Sequence, residues 1–138
     1  MLDKERIMSK IAELDSYLDE LKQVSPATFD EYQAVEKKRS CERLLQLCIE
    51  AAIDVCKMIV SGLKLGLPSD ENDLFSKLNA KRIISNELAK TLREMRGFRN
   101  ILIHEYAAVD DELVYSYVKT NIGDFEDFKK QILAAIPF

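Results

Sequence analysis

Cys41-Glu42-Arg43-Leu44-Leu45-Gln46-Leu47-Cys48-Ile49-Glu50-Ala51-Ala52-Ile53-Asp54-Val55-Cys56-Lys57-Met58-Ile59-Val60-Ser61 is the stretch whose reading decides the fold. Leu44, Leu45, Leu47, Ile49, Ile53, Val55, Ile59 and Val60 put apolar side chains on more than one face of a helix. Such a helix lies centrally in a bundle or at a subunit interface. Glu50, Asp54 and Lys57 interrupt the apolar run, so it reads as a buried helix and not as a membrane span. Cys41, Cys48 and Cys56 all fall on it. An odd cysteine count without a Cys-x-x-Cys pair argues against a disulfide framework, which leaves buried, reduced thiols.

Outward from this helix, the pattern stays helical. Ile7, Ile11, Leu14, Leu18 and Leu21 alternate four and three residues apart, the mark of one apolar stripe. Asp3 is a candidate N-cap for that first helix, and Ser25-Pro26 ends it. Thr28 with Glu31 three residues on resembles a capping box and opens a second helix. The charged cluster Glu36 to Arg39 is expected to kink or break the chain near Ser40. Gly62 to Pro68 supplies stop signals, and a short helix is expected from about Asn72 to Asn79. Ser85 can cap a helix carrying Leu88, Leu92, Met95 and Leu102. Asp110 starts another (Leu113, Tyr117), and Asp124 is expected to cap a last one (Phe128, Ile132, Leu133, Ile136). No repeat, low-complexity tract or linker is visible. The expectation is an all-α, up-down bundle of about five to six helices, with residues 1–138 forming a single domain.

The composition agrees with that class. The chain has 138 residues, 47% hydrophobic and 32% charged, with 4 Gly and 3 Pro, too few turn residues for a many-stranded fold. The segment Met1-Leu2-Asp3-Lys4-Glu5 lacks the apolar core of a signal peptide, which favours a cytoplasmic location. A single histidine and the cysteine spacing give no zinc-ligand pattern, so the chemistry is expected to need no metal and no cofactor. Net charge is −4, but its distribution matters more. Lys77 to His104 holds seven basic and two acidic residues, a local +5. A solvated helix face with an accidental bias explains that excess as well as an anionic ligand near residues 93–104 does.

Arg99-Asn100-Ile101-Leu102-Ile103-His104-Glu105-Tyr106 follows that basic segment and contains the only histidine. Histidine is the side chain whose unperturbed pKa lies nearest neutral pH. Arginine offers a permanent charge and a donor fork suited to phosphate. Arg99 stands in line with Leu88, Leu92, Met95 and Leu102, where charge is seldom left without a partner. Arg96, Asn100 and His104 form a second row at spacing four. Arg99 and His104 differ by about 140° around an ideal helix, while Tyr106 returns to within about 20° of Arg99. Gly97 sits mid-helix at a cost of about 1 kcal/mol relative to Ala, as where another helix or a ligand comes close. Two readings stand side by side. In the structural one, His104 makes a favourable contact with a helix C-terminus and Arg99 pairs with Glu50 or Asp54 in the core. In the chemical one, the segment binds and works on phosphate.

The wider pattern resembles a known family. Arg-x4-His-x-Tyr, with Asn100 directly after the arginine, is similar to the signature of the HEPN superfamily, and within it the HepT-like toxins of HepT/MntA-type toxin–antitoxin pairs. The resemblance extends through Arg43 to Asp54, Leu74-Phe75-Ser76-Lys77-Leu78 and Met95 to Tyr106. It covers the chain from about residue 40 onward; the first helix and residues 25–40 match less distinctively. It implies a HEPN-like bundle that forms a homodimer with two motifs facing one cleft, and a metal-independent RNA endonuclease. Arg99 and His104 would be catalytic: Arg99 on the scissile phosphate, His104 on the 2′-hydroxyl or the leaving 5′-oxygen. Asn100 would orient the histidine or the phosphate, with Arg96 and Arg93 as further phosphate or RNA contacts. The expected products carry 2′,3′-cyclic phosphate and 5′-hydroxyl ends. The partner implied is a small nucleotidyltransferase antitoxin that transfers AMP to Tyr106. A bulky anion there would exclude RNA by competition and repulsion.

One consequence comes from the residue count alone. Acid–base cleavage by two histidines needs one to accept a proton and another to donate it. Each chain has one, so that mechanism makes the site composite and the dimer obligatory, unless another group such as Tyr106 carries the second proton. The leading expectation is therefore a ribonuclease toxin. The alternatives are a non-catalytic nucleotide- or substrate-binding subunit of a small nucleotidyltransferase, and a dimeric helical protein with an inactive motif.

Overall fold

A computed structural model describes residues 2–104 and 109–137. Tyr106 lies outside the described residues. The described chain contains seven helices: α1 (Lys4–Val24), α2 (Phe29–Tyr32), α3 (Val35–Gly62), α4 (Glu71–Ala80), α5 (Asn86–His104), α6 (Asp111–Thr120) and α7 (Gly123–Ala135). No strand occurs among the described residues. This is the expected all-α bundle, with seven helices among the described residues where about five to six were expected. Among the described residues no helix is long and apolar enough to cross a membrane.

The caps follow the local chemistry. Asp3 accepts from the Arg6 N–H at the start of α1. Thr28 accepts from the Glu31 N–H, while the Glu31 carboxylate reaches back to the Ala27 N–H at 2.8 Å. Ser85 accepts from the Leu88 N–H, and Asp110 from the N–H groups of Glu112 and Leu113. Each satisfies an N–H that a helix start would otherwise leave open.

Two boundaries differ from the sequence expectation. α3 runs through Ser40 without a break. The charged cluster that was expected to interrupt it is instead paired: Lys38 reaches Asp111 of α6 at 2.7 Å, and Arg39 reaches Glu42 one turn on at 2.5 Å. Asp124 does not cap α7, which begins at Gly123 with no side-chain cap. The Asn121 N–H closes α6 on the Tyr117 carbonyl, and the Asp124 N–H bonds back to Asn121, so α7 starts too soon after α6 for a separate cap residue. Asp124 still lies in the first turn, where its charge suits the helix dipole.

α3 is the hub and packs against each of the other six helices. Its apolar character on several faces is thereby explained, and all three cysteines are buried and free. Burial, with the negative charge of Glu20, pushes the Cys48 thiol up to about 12, so it is no nucleophile. The α1 stripe packs on α3 with Ile7, Ile11, Leu14, Leu18 and Leu21 all buried, each stabilising by roughly 1.5–3 kcal/mol. Phe75, Phe125 and Phe128 fill the main core, and a smaller cluster around Tyr32, Cys41, Leu45 and Leu102 lies under α6. Phe98 stacks on Tyr117 at 5.0 Å and borders both clusters. This fixes α5, the helix that carries the motif, against the rest of the molecule.

Candidate functional site

α4 and α5 build the site together. Asp70 accepts from the Asp73 N–H at 2.8 Å and fixes where α4 begins, which puts Glu71 in its first turn. α5 lies alongside, its Leu88, Leu92, Met95 and Leu102 buried as the stripe requires. Arg93, Arg96 and Arg99 therefore meet α4 one turn after another. Arg93 Nη2 donates to Ser76 Oγ at 2.9 Å. Arg96 Nε donates to Glu71 Oε1 at 3.0 Å, and Arg99 Nη2 donates to the same oxygen. Arg99 Nε donates to the Asn100 side-chain oxygen at 3.0 Å.

Arg99 is the charge that the apolar stripe seemed unable to accommodate. Its side chain is only 11% exposed, against 27% for Arg96. Its partner is not Glu50 or Asp54. Glu50 accepts from Gln46 at 3.2 Å, and Asp54 lies 3.7 Å from Lys10 of α1. Both acids do line the cleft of about 250 Å³ into which Arg99 and Glu71 open, together with Lys10 and Lys57. Lys57 Nζ stands 3.8 Å from Glu71 Oε2, so three cations surround one carboxylate. Burial alone would push the Glu71 carboxyl up, but the bond from Arg96 and the charges of Arg99 and Lys57 hold it below the usual glutamate range. The carboxylate stays ionised and is shared by the three cations.

The other expected residues fall as follows. Asn100 is half-buried, and its carbonyl is turned to Arg99. His104 is exposed at the last position of α5. Gly97 is exposed, and among the described residues a Cβ built there meets nothing within 4 Å, so none of them makes the close approach its position suggested. Glu71 is the residue that sequence reasoning missed. The available signal was weak: an acid in the first turn of a short helix, opposite arginines three residues apart.

Chemically, the arrangement offers a nearly buried, oriented guanidinium, a second arginine at its side and an exposed imidazole further along the same helix. That set can bind a phosphodiester and move a proton beside it. Comparison with known proteins agrees with this reading. The family described as "Ribonuclease HepT-like" matches residues 14–132. The match begins inside α1, well before residue 40, and takes in the second half of that helix. The tRNA nuclease HepT of Aphanizomenon flos-aquae is 33% identical over 127 residues, covering 91% of this chain and 86% of that protein. The mRNA nuclease HepT of Shewanella oneidensis is 31% identical over 122 residues, covering 88% of this chain and 92% of that one. Among solved structures, a tri-AMPylated HEPN toxin of Shewanella oneidensis in complex with an MNT antitoxin superimposes with a TM-score of 0.87. It is 31% identical and covers 93% of this chain and 96% of its own.

Proposed function

The chain belongs to the ribonuclease HepT-like family, and from that premise we propose that it is a metal-independent RNA endonuclease. It acts as the toxin of a toxin–antitoxin pair in the cytoplasm, with residues 1–138 as one functional unit. The observation that carries the residue assignment is Arg99: a guanidinium 11% exposed, held by Glu71 and Asn100, on the helix that ends in exposed His104.

In this mechanism Arg99 binds the scissile phosphate through the donors that Glu71 and Asn100 leave open and stabilises charge as it develops there. His104 acts on the 2′-hydroxyl or the leaving 5′-oxygen, and the attack yields 2′,3′-cyclic phosphate and 5′-hydroxyl ends. The second proton carrier is His104 of a second copy across a two-fold axis. Asn100 orients Arg99. Arg96, and further along Arg93, extend the basic row that receives neighbouring phosphates. A small nucleotidyltransferase antitoxin silences the site by transferring AMP to Tyr106.

The test is cleavage of RNA by the purified, unmodified protein in EDTA. His104→Ala and Arg99→Ala each abolish cleavage and leave a folded dimer. Undiminished cleavage by His104→Ala would remove the ribonuclease assignment from this site. Tyr106 is tested by mass spectrometry after incubation with the antitoxin and ATP: a mass increase of AMP on that residue is expected, and an unmodified Tyr106 counts against it.

A further inference from the structure

Glu71 touches neither the phosphate nor the reacting oxygens, yet it is the residue on which the basic cluster converges. Its Oε1 accepts from Arg96 Nε at 3.0 Å and from Arg99 Nη2, and its Oε2 faces Lys57 Nζ at 3.8 Å. The three cations come from two helices, α3 and α5, and the carboxylate from a third. They differ in exposure: 53% for the Lys57 side chain, 27% for Arg96 and 11% for Arg99. Lys57 and Arg96 can therefore use water as a partner. Arg99 has little access to it, and a nearly buried cation without a counter-ion is strongly unfavourable.

The geometry also limits how Arg99 can turn. A guanidinium has five N–H donors in one plane. Asn100 takes the one on Nε, and Glu71 takes one on Nη2. Two acceptors on the same plane fix its rotation and leave three donors for another anion. Arg96 and Arg99 also keep donors that Glu71 does not occupy, and those remain for a phosphate.

We propose that Glu71 is a positioning residue of the ribonuclease site: by gripping Arg96 and Arg99 together it sets the plane of the Arg99 guanidinium for the scissile phosphate. The proposal rests on the reading of Arg99 as the phosphate ligand. It excludes the opposite role, in which the carboxylate competes with RNA for the arginines. The two roles differ in sign: removing a positioning residue slows turnover, whereas removing a competitor tightens RNA binding and speeds cleavage.

The experiment compares wild type, Glu71→Gln and Glu71→Ala on a labelled single-stranded RNA and on bulk tRNA, with circular dichroism to verify folding. Misplacing Arg99 is expected to lower kcat in Glu71→Ala on the order of 100-fold. KM changes little, because a long RNA is held through many phosphates. Glu71→Gln falls between, since its amide oxygen still accepts from Arg99. A kcat equal to or above that of wild type in either folded variant overturns the proposal. If Glu71→Ala does not fold, Glu71→Gln alone decides by the same criterion. The arginine Nε–H resonances in 15N spectra give a readout independent of cleavage. A resolved, slowly exchanging Arg99 signal that is lost in Glu71→Ala supports positioning, and an unchanged signal overturns it. Full cleavage by Arg99→Ala would instead sink the reading of Arg99, and the spectra would still judge whether Glu71 holds it.

Discussion

Arg99 carries a charge into a stripe of Leu88, Leu92, Met95 and Leu102, and an acid from another helix makes that placement tolerable. The same pairing makes stability sensitive to acid. Burial pushes the Glu71 carboxyl up, and the Arg96 bond together with the Arg99 and Lys57 charges pulls it down by more. A carboxylate depressed in the folded state contributes fully above its unfolded value of about 4.3. The contribution is lost as pH falls through the lower, folded value. Urea unfolding between pH 7 and pH 3 should therefore show wild type losing more stability than Glu71→Gln once the pH drops below about 4. Parallel losses in the two proteins would mean that Glu71 has no linked proton. That Arg99 needs a partner was legible from its line of apolar neighbours, but which partner was not. Glu50 and Asp54 sit on the long central helix α3, and nothing local distinguishes them from Glu71. The choice is made by how α4 docks on α5, and docking angles are not written in a helix pattern.

At the scale of elements, α3 and α4 end in the same way. Leu65 N–H reaches the Val60 carbonyl and Lys64 N–H reaches Ser61, while Ile83 N–H reaches Leu78 and Arg82 N–H reaches Asn79. These are paired six-to-one and five-to-two bonds, with Lys64 (φ 54°) and Arg82 (φ 59°) in the left-handed position. Glycine usually holds that place. In α3 the nearby Gly62 does not, because it is needed where Leu2 packs: a Cβ there would come within 2.8 Å of Leu2. Removing the left-handed strain at exposed Arg82, less the entropy a glycine loses, should make Arg82→Gly more stable by about 0.5–1 kcal/mol. A denaturation midpoint at or below wild type would contradict this. Gly97 offers the reverse change. With open space around it, Gly97→Ala should raise stability by about 0.5–1 kcal/mol; a weakened dimer with the fold intact would place a second copy against it. Apolar spacing and cap residues made most helices readable, α1 and α5 above all. The expected break near Ser40 failed because Lys38 finds its partner on α6, 73 residues away in sequence.

For the molecule as a whole, the decisive number is one histidine in 138 residues. α3 packs within the chain against every other helix. α5 reaches the surface at both Gly97 and His104, and Phe98 stacked on Tyr117 holds the helix between them. If one imidazole accepts a proton while another donates it, cleavage is a property of the pair, and that has a stoichiometric signature. When wild-type and His104→Ala chains are co-expressed in equal amounts and assort at random, about one quarter of dimers keep two histidines. Cleavage per total protein should then fall to about that quarter, and it should follow the square of the wild-type fraction across a mixing series. A linear decline would mean that one His104 suffices, with the second proton carried by another group of the same chain. The same series made with Glu71→Ala separates the two roles assigned above. A positioning residue serves the arginine of its own protomer, so the shape of its decline reports how many Arg99 side chains each cleavage requires.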